Sequence, residues 1–397
     1  MNTSVSTGPG TGWFSENDCD LDDFRALVEQ RTDQGDYPLA DSVEQNVLVY
    51  GRTLAGQITT ADGRRRAQTE ITRALMDGPG IVVVSGAFPD PSVVDRATEA
   101  FETMIAEQKA GHTTAGDHFA APGANDRIWG ALDKLALREP AVFADYYAND
   151  VVALISEAWL GANYQITSQV NVVNPGGSAQ VAHRDYHLGF MSSRTAQQYP
   201  AHVHRLSPAL TLQGAVAHCD MPIETGPTMY LPHSQKYAPG YVAFHRPEFT
   251  EYFNARYIQL PLRQGDAVFF NPALFHGAGT NHSTTVRRIA NLLQISSAFG
   301  RAMETVDRTA MCRALYPTLL TRQADGTPES ALHHVVAASA EGYAFPTNLD
   351  HDQPIDGLTP PSQADLVRQA LRERWDPATL DAELATQEQR RTGPSRS

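Results

Sequence analysis

The sequence predicts a β-rich sandwich or jelly roll flanked by helices, and three observations lead there. From about residue 164 to 295, short apolar or alternating runs recur between Gly, Pro and Asn turn signals, the spacing of an antiparallel all-β core. Before Gly161 and after Arg301 the apolar period is instead helical. Between these regimes, residues 164–173 alternate, with Tyr164, Ile166, Val170 and Val172 on one side and Gln165, Thr167, Gln169 and Asn171 on the other. Such a run is a strand with one polar face.

In chain order, residues 1–63 are rich in Gly, Asp, Thr and Ser and read as a loosely built arm with one short helix at 21–30. A helix at 64–76 stops at Gly78-Pro79-Gly80, before the apolar run Ile81 to Val84, which reads as a buried strand. Asp90-Pro91 opens the next helix, Asp as cap and Pro in the first turn, with Val94, Ala97, Phe101, Met104 and Ile105 at helical spacing. A third helix covers 150–160, ended by Gly161. Beyond the alternating strand and the turn Asn174-Pro175-Gly176-Gly177, strands are expected at 210–218, 228–231, 257–262, 267–270 and 286–295. Helices return after Arg301, most clearly at 363–374, and residues 390–397 read as a disordered tail.

With 42% hydrophobic and 19% charged residues, the 397-residue chain has ample material for a core. A net charge of −14 with no long basic run excludes the usual nucleic-acid footprint. No apolar stretch approaches the roughly 20 residues of a membrane span. Met1 to Gly12 lacks the charged and apolar regions of a signal peptide. Cys19, Cys219 and Cys312 are odd in number and widely spaced, which fits a reducing cytoplasm. The expectation is a cytoplasmic protein with a small-molecule partner, no nucleic acid and no membrane.

Chemistry concentrates in His183-Arg184-Asp185 and in His276. In an extended strand, positions i and i+2 share a face, so His183 and Asp185 can grip one ion together. His276 is the candidate third ligand. Two histidines and a carboxylate on one side of a metal leave its other positions open, as non-heme Fe(II) oxygenases require. Among 14 histidines a His-x-Asp pair is weak by itself. The surroundings of His276 strengthen it: Gly265-Asp266, an apolar strand, then His276-Gly277-Ala278-Gly279-Thr280-Asn281-His282-Ser283, with Arg287 eleven residues after the histidine.

These motifs, with Gly226-Pro227-Thr228-Met229-Tyr230-Leu231-Pro232-His233-Ser234, resemble the phytanoyl-CoA dioxygenase family of Fe(II)- and 2-oxoglutarate-dependent oxygenases, to which ectoine hydroxylase is also similar. The resemblance covers roughly residues 81–298 and implies a double-stranded β-helix core. The expected organisation is an N-terminal arm at 1–63, the oxygenase domain with its leading helices at 64–300, and a helical extension with its tail at 301–397. By resemblance, His183, Asp185 and His276 are the iron ligands and Arg287 holds the far carboxylate of 2-oxoglutarate, a task suited to a guanidinium fork. Arg288 would face the other side of the strand. Asn171 and Thr167 would line the cosubstrate pocket, with Gln169 on the same face.

The family's serine two residues after the distal histidine is Ala278 here, and Thr280 is a candidate replacement. His187 and His218 are candidate substrate contacts. The implied reaction uses Fe(II), 2-oxoglutarate and O2 to hydroxylate a small molecule, with desaturation or cyclisation as alternatives. Asp185 disfavours halogenation, because related halogenases carry a small residue there. Two rivals stand outside this class: a non-catalytic jelly-roll binding protein, and a cupin-type isomerase or hydrolase, which would need no cosubstrate clamp.

Overall fold

A computed structural model describes residues 12–111, 123–185, 191–354 and 357–392. Ten strands lie in this order: β1 (Ser42–Glu44), β2 (Val47–Tyr50), β3 (Ile81–Val84), β4 (Asn125–Ile128), β5 (Gln165–Val173), β6 (Thr211–Ala217), β7 (Met229–Leu231), β8 (Ala267–Phe270), β9 (Phe275–Gly277) and β10 (Arg288–Ser296). Eight form one large sheet in the order β1-β2-β3-β8-β6-β10-β5-β4, and β7 pairs with β9 in a small one. Pairing is antiparallel except between β2 and β3. Isolated bridges His183–His276 and Tyr230–Ile258 widen the small sheet on its two sides. The two sheets are the walls of a jelly roll.

The large sheet's outer face is mostly apolar because most alternate residues of its strands are. Val82, Phe269, Val216, Ile289, Leu293, Ile166 and Val170 pack there against flanking helices in the principal core. The helices begin and end where their sequence signals stand. Asp90 accepts a hydrogen bond from Ser92 N at 3.0 Å, with Pro91 in the first turn, and Asn149 caps Asp150–Leu160 through Val152 N. Gly161 ends that helix at φ +76°, backbone that favours glycine.

The jelly-roll core with flanking helices is as expected, and helices make up 47% of the structure. Three expectations need correction. The N-terminal stretch is no loose arm: β1 and β2 extend the large sheet, with Val47, Leu48 and Tyr50 fully buried. Its strands are three and four residues long, too short to register as a period. Residues 257–262 contribute only the bridges at Ile258 and Leu262. At the other end, the helix Pro377–Thr392 carries order past Arg390, and residues 393–397 of the expected tail lie outside the described residues.

Candidate metal centre

His276 sits in the middle of β9, and His183 is bridged to it on the neighbouring segment, so two short extended pieces bring the motifs together. His183 N donates to His276 O at 2.9 Å and His276 N to His183 O at 3.0 Å. One ligand atom from each of His183, Asp185 and His276 lies within 4.8 Å of the others. His183 Nε2 is 4.0 Å from Asp185 Oδ1, and His276 Nε2 is 3.9 Å from Asp185 Oδ2. Each histidine donates Nδ1–H to the carbonyl two residues before it, Val181 O and Leu274 O, both at 2.9 Å. That fixes the tautomer and leaves Nε2 for a metal. Burial, then the neighbouring His183, lowers the His276 pKa to about 4, so it is a neutral ligand near pH 7.

The third ligand is held by a residue that the sequence reading missed. Gln213 of β6 donates from Nε2 to Asp185 Oδ2, while Asp185 Oδ1 is buried with no hydrogen-bond partner. A carboxylate tied at one oxygen and bare at the other suits single-point coordination. The set of two neutral imidazoles and one half-satisfied carboxylate therefore fits Fe(II). A polar residue on the small-residue face of a strand that reads Gln213, Ala215, Ala217 was the available signal.

The Leu-Pro-x-Ser motif braces the same strands. Ser234 Oγ donates to Leu231 O and accepts from Phe275 N, one residue before His276, while Ser234 O accepts from Arg184 between the other two ligands. Arg184 is fully buried between the rings of Tyr241 and Phe275, and burial lowers its pKa to about 10. Gly226, at φ +68°, lies against the backbone of Gly279 and Thr280, where any Cβ would collide. The two Gly-rich motifs are thus one crossing.

The ligands open onto a cavity of about 430 Å³ between the sheets. Strand parity decides what lines it. Arg288, Ala290, Leu292 and Gln294 of β10 face inward, opposite Val173, Asn171, Gln169 and Thr167 of β5 in the register. The polar face of β5 is therefore an inner wall. Asn171 is buried, lines the cavity, and its Oδ1 has no partner. Gln169 lines it too, with Oε1 accepting from Arg127 Nη1 at 2.9 Å. Thr167 is committed to Gln294 O at 2.9 Å and does not line the cavity.

Arg287, the expected cosubstrate clamp, does not line the cavity, whereas its neighbour Arg288 does. Arg287 points outward, 40% exposed in its side chain, and pairs with Glu102 at 2.8 Å and Asp126 at 3.5 Å. Arg288 lines the cavity, is 6% exposed, and has no ion pair or hydrogen bond to any described side chain. Burial lowers its pKa to about 10, which leaves it a cation at neutral pH. Counting eleven residues from His276 ignored the bend at 279–287, which is not extended and so does not preserve parity.

The remaining candidates fall elsewhere. His218 is on the outer side of the sheet, hydrogen-bonded to Thr98 and Tyr146, and does not reach the cavity. His187 lies outside the described residues. Thr280 Oγ1 accepts from Ala179 N and does not line the cavity, whereas Ala278 does. Phe270 meets His276 edge-on at 4.8 Å and lines the cavity as well.

The family model for phytanoyl-CoA dioxygenase (PhyH) matches residues 76–289. A dioxygenase of Aspergillus terreus (strain NIH 2624 / FGSC A1156), trt7, is 26% identical over 218 residues, 54% of this chain and 68% of its own length. Among solved structures, the non-heme alpha ketoglutarate dependent epimerase SnoN from nogalamycin biosynthesis is 20% identical, with a TM-score of 0.42 over 59% of this chain and 82% of its own. The carbocyclase SnoK from the same biosynthesis is 19% identical, with a TM-score of 0.42 over 60% and 84%. No helix among the described residues is long and apolar enough to cross a membrane.

Proposed function

This chain belongs to the phytanoyl-CoA dioxygenase family of Fe(II)- and 2-oxoglutarate-dependent enzymes, and from that premise we propose that it hydroxylates an unactivated C–H bond of a small molecule in the cavity between its sheets. His183, Asp185 and His276 hold the metal. Gln213 ties down Asp185 Oδ2 and leaves Oδ1, which would be the ligand atom, without a partner. Arg288, rather than Arg287, takes the far carboxylate of 2-oxoglutarate through a charge-assisted fork. Asn171 offers its amide to an oxygen of the same cosubstrate.

The observation that carries this reading is the unpaired, buried Arg288 in the same cavity as a three-ligand metal site. Burying a guanidinium without an anion is costly, and a dicarboxylate coordinated at the metal supplies that anion. A cupin-type isomerase or hydrolase has no such need. When bound, Fe(II) with 2-oxoglutarate supplies the oxidant, yielding succinate and CO2 as O2 is consumed. The walls keep bulk water from the reacting C–H bond, with Ile81, Val83, Val268 and Leu260 forming the apolar side.

The test is succinate release from 2-oxoglutarate in air, with and without Fe(II), followed by a mass screen for gain of one oxygen in candidate small molecules. Fe(II)-dependent succinate is expected even without the organic substrate, at a low rate. Protein that neither binds nor consumes 2-oxoglutarate with Fe(II) present would contradict the reading.

A further inference from the structure

The cavity holds a buried acceptor that the cosubstrate cannot satisfy. As a dianion, 2-oxoglutarate offers keto and carboxylate oxygens, which accept hydrogen bonds and donate none. It therefore answers the donors of Arg288 and Asn171 and leaves amide oxygens unanswered. Two such oxygens, Gln213 Oε1 and Asn171 Oδ1, belong to cavity-lining residues that are 4% and 9% exposed, and neither has a hydrogen-bond partner. A buried acceptor left unsatisfied costs free energy that a donor can recover.

The strand register separates the two. On β10, Gln294 stands opposite Gln213, Ala290 opposite Asn171 and Arg288 opposite Val173. Along that strand Asn171 lies two residues from the level of Arg288 and Gln213 lies six, so Asn171 belongs to the cosubstrate end and Gln213 to the metal end. The Gln213 amide donates from Nε2 to Asp185 Oδ2, and its register partner on β8, Phe270, meets the ring of His276. The bond to Asp185 also fixes which atom is the acceptor, because the reversed amide would set oxygen against carboxylate oxygen. Gln294 lines the cavity beside it, and its side-chain amide has no hydrogen-bond partner among the described residues.

We propose that Gln213 is a specificity-determining residue as well as the brace on Asp185: its Oε1 accepts a hydrogen bond from a hydroxyl group of the organic substrate, which is therefore an alcohol. The inference rests on the oxygenase reading above and names the substrate class of that same site. A hydroxyl fits better than an ammonium group, because a cation beside a divalent metal is repelled. A hydroxyl oxygen can also accept from the Gln294 amide while its proton goes to Gln213. The hydroxyl is a handle and keeps its proton. The C–H bond oxidised lies close to it, since the acceptor is fixed beside the metal ligands.

The test uses the full chain with saturating Fe(II) and 2-oxoglutarate and a panel of cyclic aliphatic alcohols, each paired with the corresponding fluoride, which is similar in size and has no donor. Succinate release reports turnover. Anaerobic titration of the protein loaded with Fe(II) and 2-oxoglutarate, followed by visible absorption, reports binding without it. Alcohols that accelerate succinate release should outdo their fluorides by about tenfold or more in KM and in the titration, the scale of a buried acceptor left unsatisfied. In Gln213→Leu that ratio should fall to near one, whereas Gln294→Leu should stay within about threefold of wild type, since it removes only a supporting neutral hydrogen bond. The ratio is taken within one protein at saturating metal, so weaker iron binding in a variant cancels from it. A merely structural Gln213 would leave it unmoved.

The proposal is overturned if fluorides serve as well as alcohols, which would leave water as the partner of Gln213 Oε1, or if no alcohol in the panel perturbs the complex. It also fails if Gln213→Leu keeps the wild-type ratio, or if Gln294→Leu alone abolishes it. Should Gln213→Leu not fold, Gln213→Lys takes its place with the same two outcomes, because lysine keeps a donor for Asp185 and has no acceptor. Wild-type protein that does not bind 2-oxoglutarate with Fe(II) present strikes the oxygenase reading itself and is recognisable as such.

Discussion

The two faces of the large sheet carry polar residues in opposite conditions. On the outer face, His218, Tyr146, Tyr147, Asn291, Ser168 and Thr98 form a network in which the rings and hydroxyls are joined and Asn291 Oδ1 alone is left buried without a partner. Thr98 Oγ1 donates to Val94 O, so His218 Nδ1 donates to Thr98 at 2.8 Å, and Nε2 accepts from Tyr146 OH at 2.9 Å. Asn291 donates to both tyrosines, and Tyr147 donates to Ser168. On the inner face, Asn171 Oδ1 and Gln213 Oε1 are buried without partners, as is Asp185 Oδ1 across the cavity, and Arg288 has no counter-ion among the described residues. Satisfied buried groups stabilise a fold; unsatisfied ones cost free energy that a ligand can recover. The same strands thus hold structure on one side and readiness for ligands on the other.

The contrast fails most visibly if the inner ligands are dispensable. His183→Ala or Asp185→Ala should lower Fe(II) affinity and turnover by more than about a hundredfold, since even the partners of metal ligands are worth 10- to 100-fold. The folded far-UV spectrum should be retained, and either variant binding stoichiometric iron at the wild-type rate would refute the assignment. The adjacent arginines come next. Arg288→Met should raise the 2-oxoglutarate requirement by about ten- to a hundredfold, as hydrogen bonds to charged groups are worth roughly 1.5–3 kcal/mol. Arg287→Met breaks two partly exposed ion pairs, each worth less than about 1 kcal/mol, and should leave that requirement nearly unchanged. Equal effects would erase the inside–outside distinction.

Gln213→Leu removes the brace on Asp185 and should cost about tenfold in Fe(II) affinity, the lower end for a ligand's supporting partner. Metal titration of Gln213→Leu and Gln213→Glu checks this; unchanged affinity in both would show that Asp185 needs no support. Asn171→Ala should weaken 2-oxoglutarate by about 0.5–1.5 kcal/mol, several-fold in Kd. Identical titrations for variant and wild type would place Asn171 outside the cosubstrate contacts.

The outer face should respond to acid, not to ligand. Burial lowers the His218 pKa to about 3 from an ordinary 6.5. The unfolded chain then binds the extra proton first. His218 therefore contributes stability that is complete above about pH 6.5 and is lost as pH falls toward 3. Replacing His218 by Gln should flatten the decline of Tm below pH 6.5 with little change in 2-oxoglutarate affinity at neutral pH. An unaltered slope would mean that the network does not constrain the imidazole.

Much of this was legible in the chain. The triad could be read because its two halves carry their own backbone signatures, a strand doublet and a histidine before a Gly-rich bend. Most strands of the large sheet could be read because burial on one face leaves an alternation. The edge strands β1 and β2 could not, being shorter than any period. Arg288 was misread because parity holds only along continuous extended backbone, and the bend before β10 breaks it. Gln213 was missed for a different reason. It stands alone on its strand, and its meaning comes from a residue more than 25 positions away that only the fold brings beside it.

The backbone carbonyls that fix both imidazoles, Val181 O and Leu274 O, have a bearing on how this protein acquires its ion. Because these side-chain bonds to the backbone orient the donor atoms, the fold and not the ion sets the two imidazoles, and it offers no checkpoint at which a competitor could be refused. Affinity then follows the intrinsic order of the divalent series, in which copper and zinc outrank iron. Occupancy becomes a record of supply. Protein purified from ordinary medium should carry whichever divalent metal was abundant, and stripping followed by anaerobic Fe(II) loading should restore turnover without refolding.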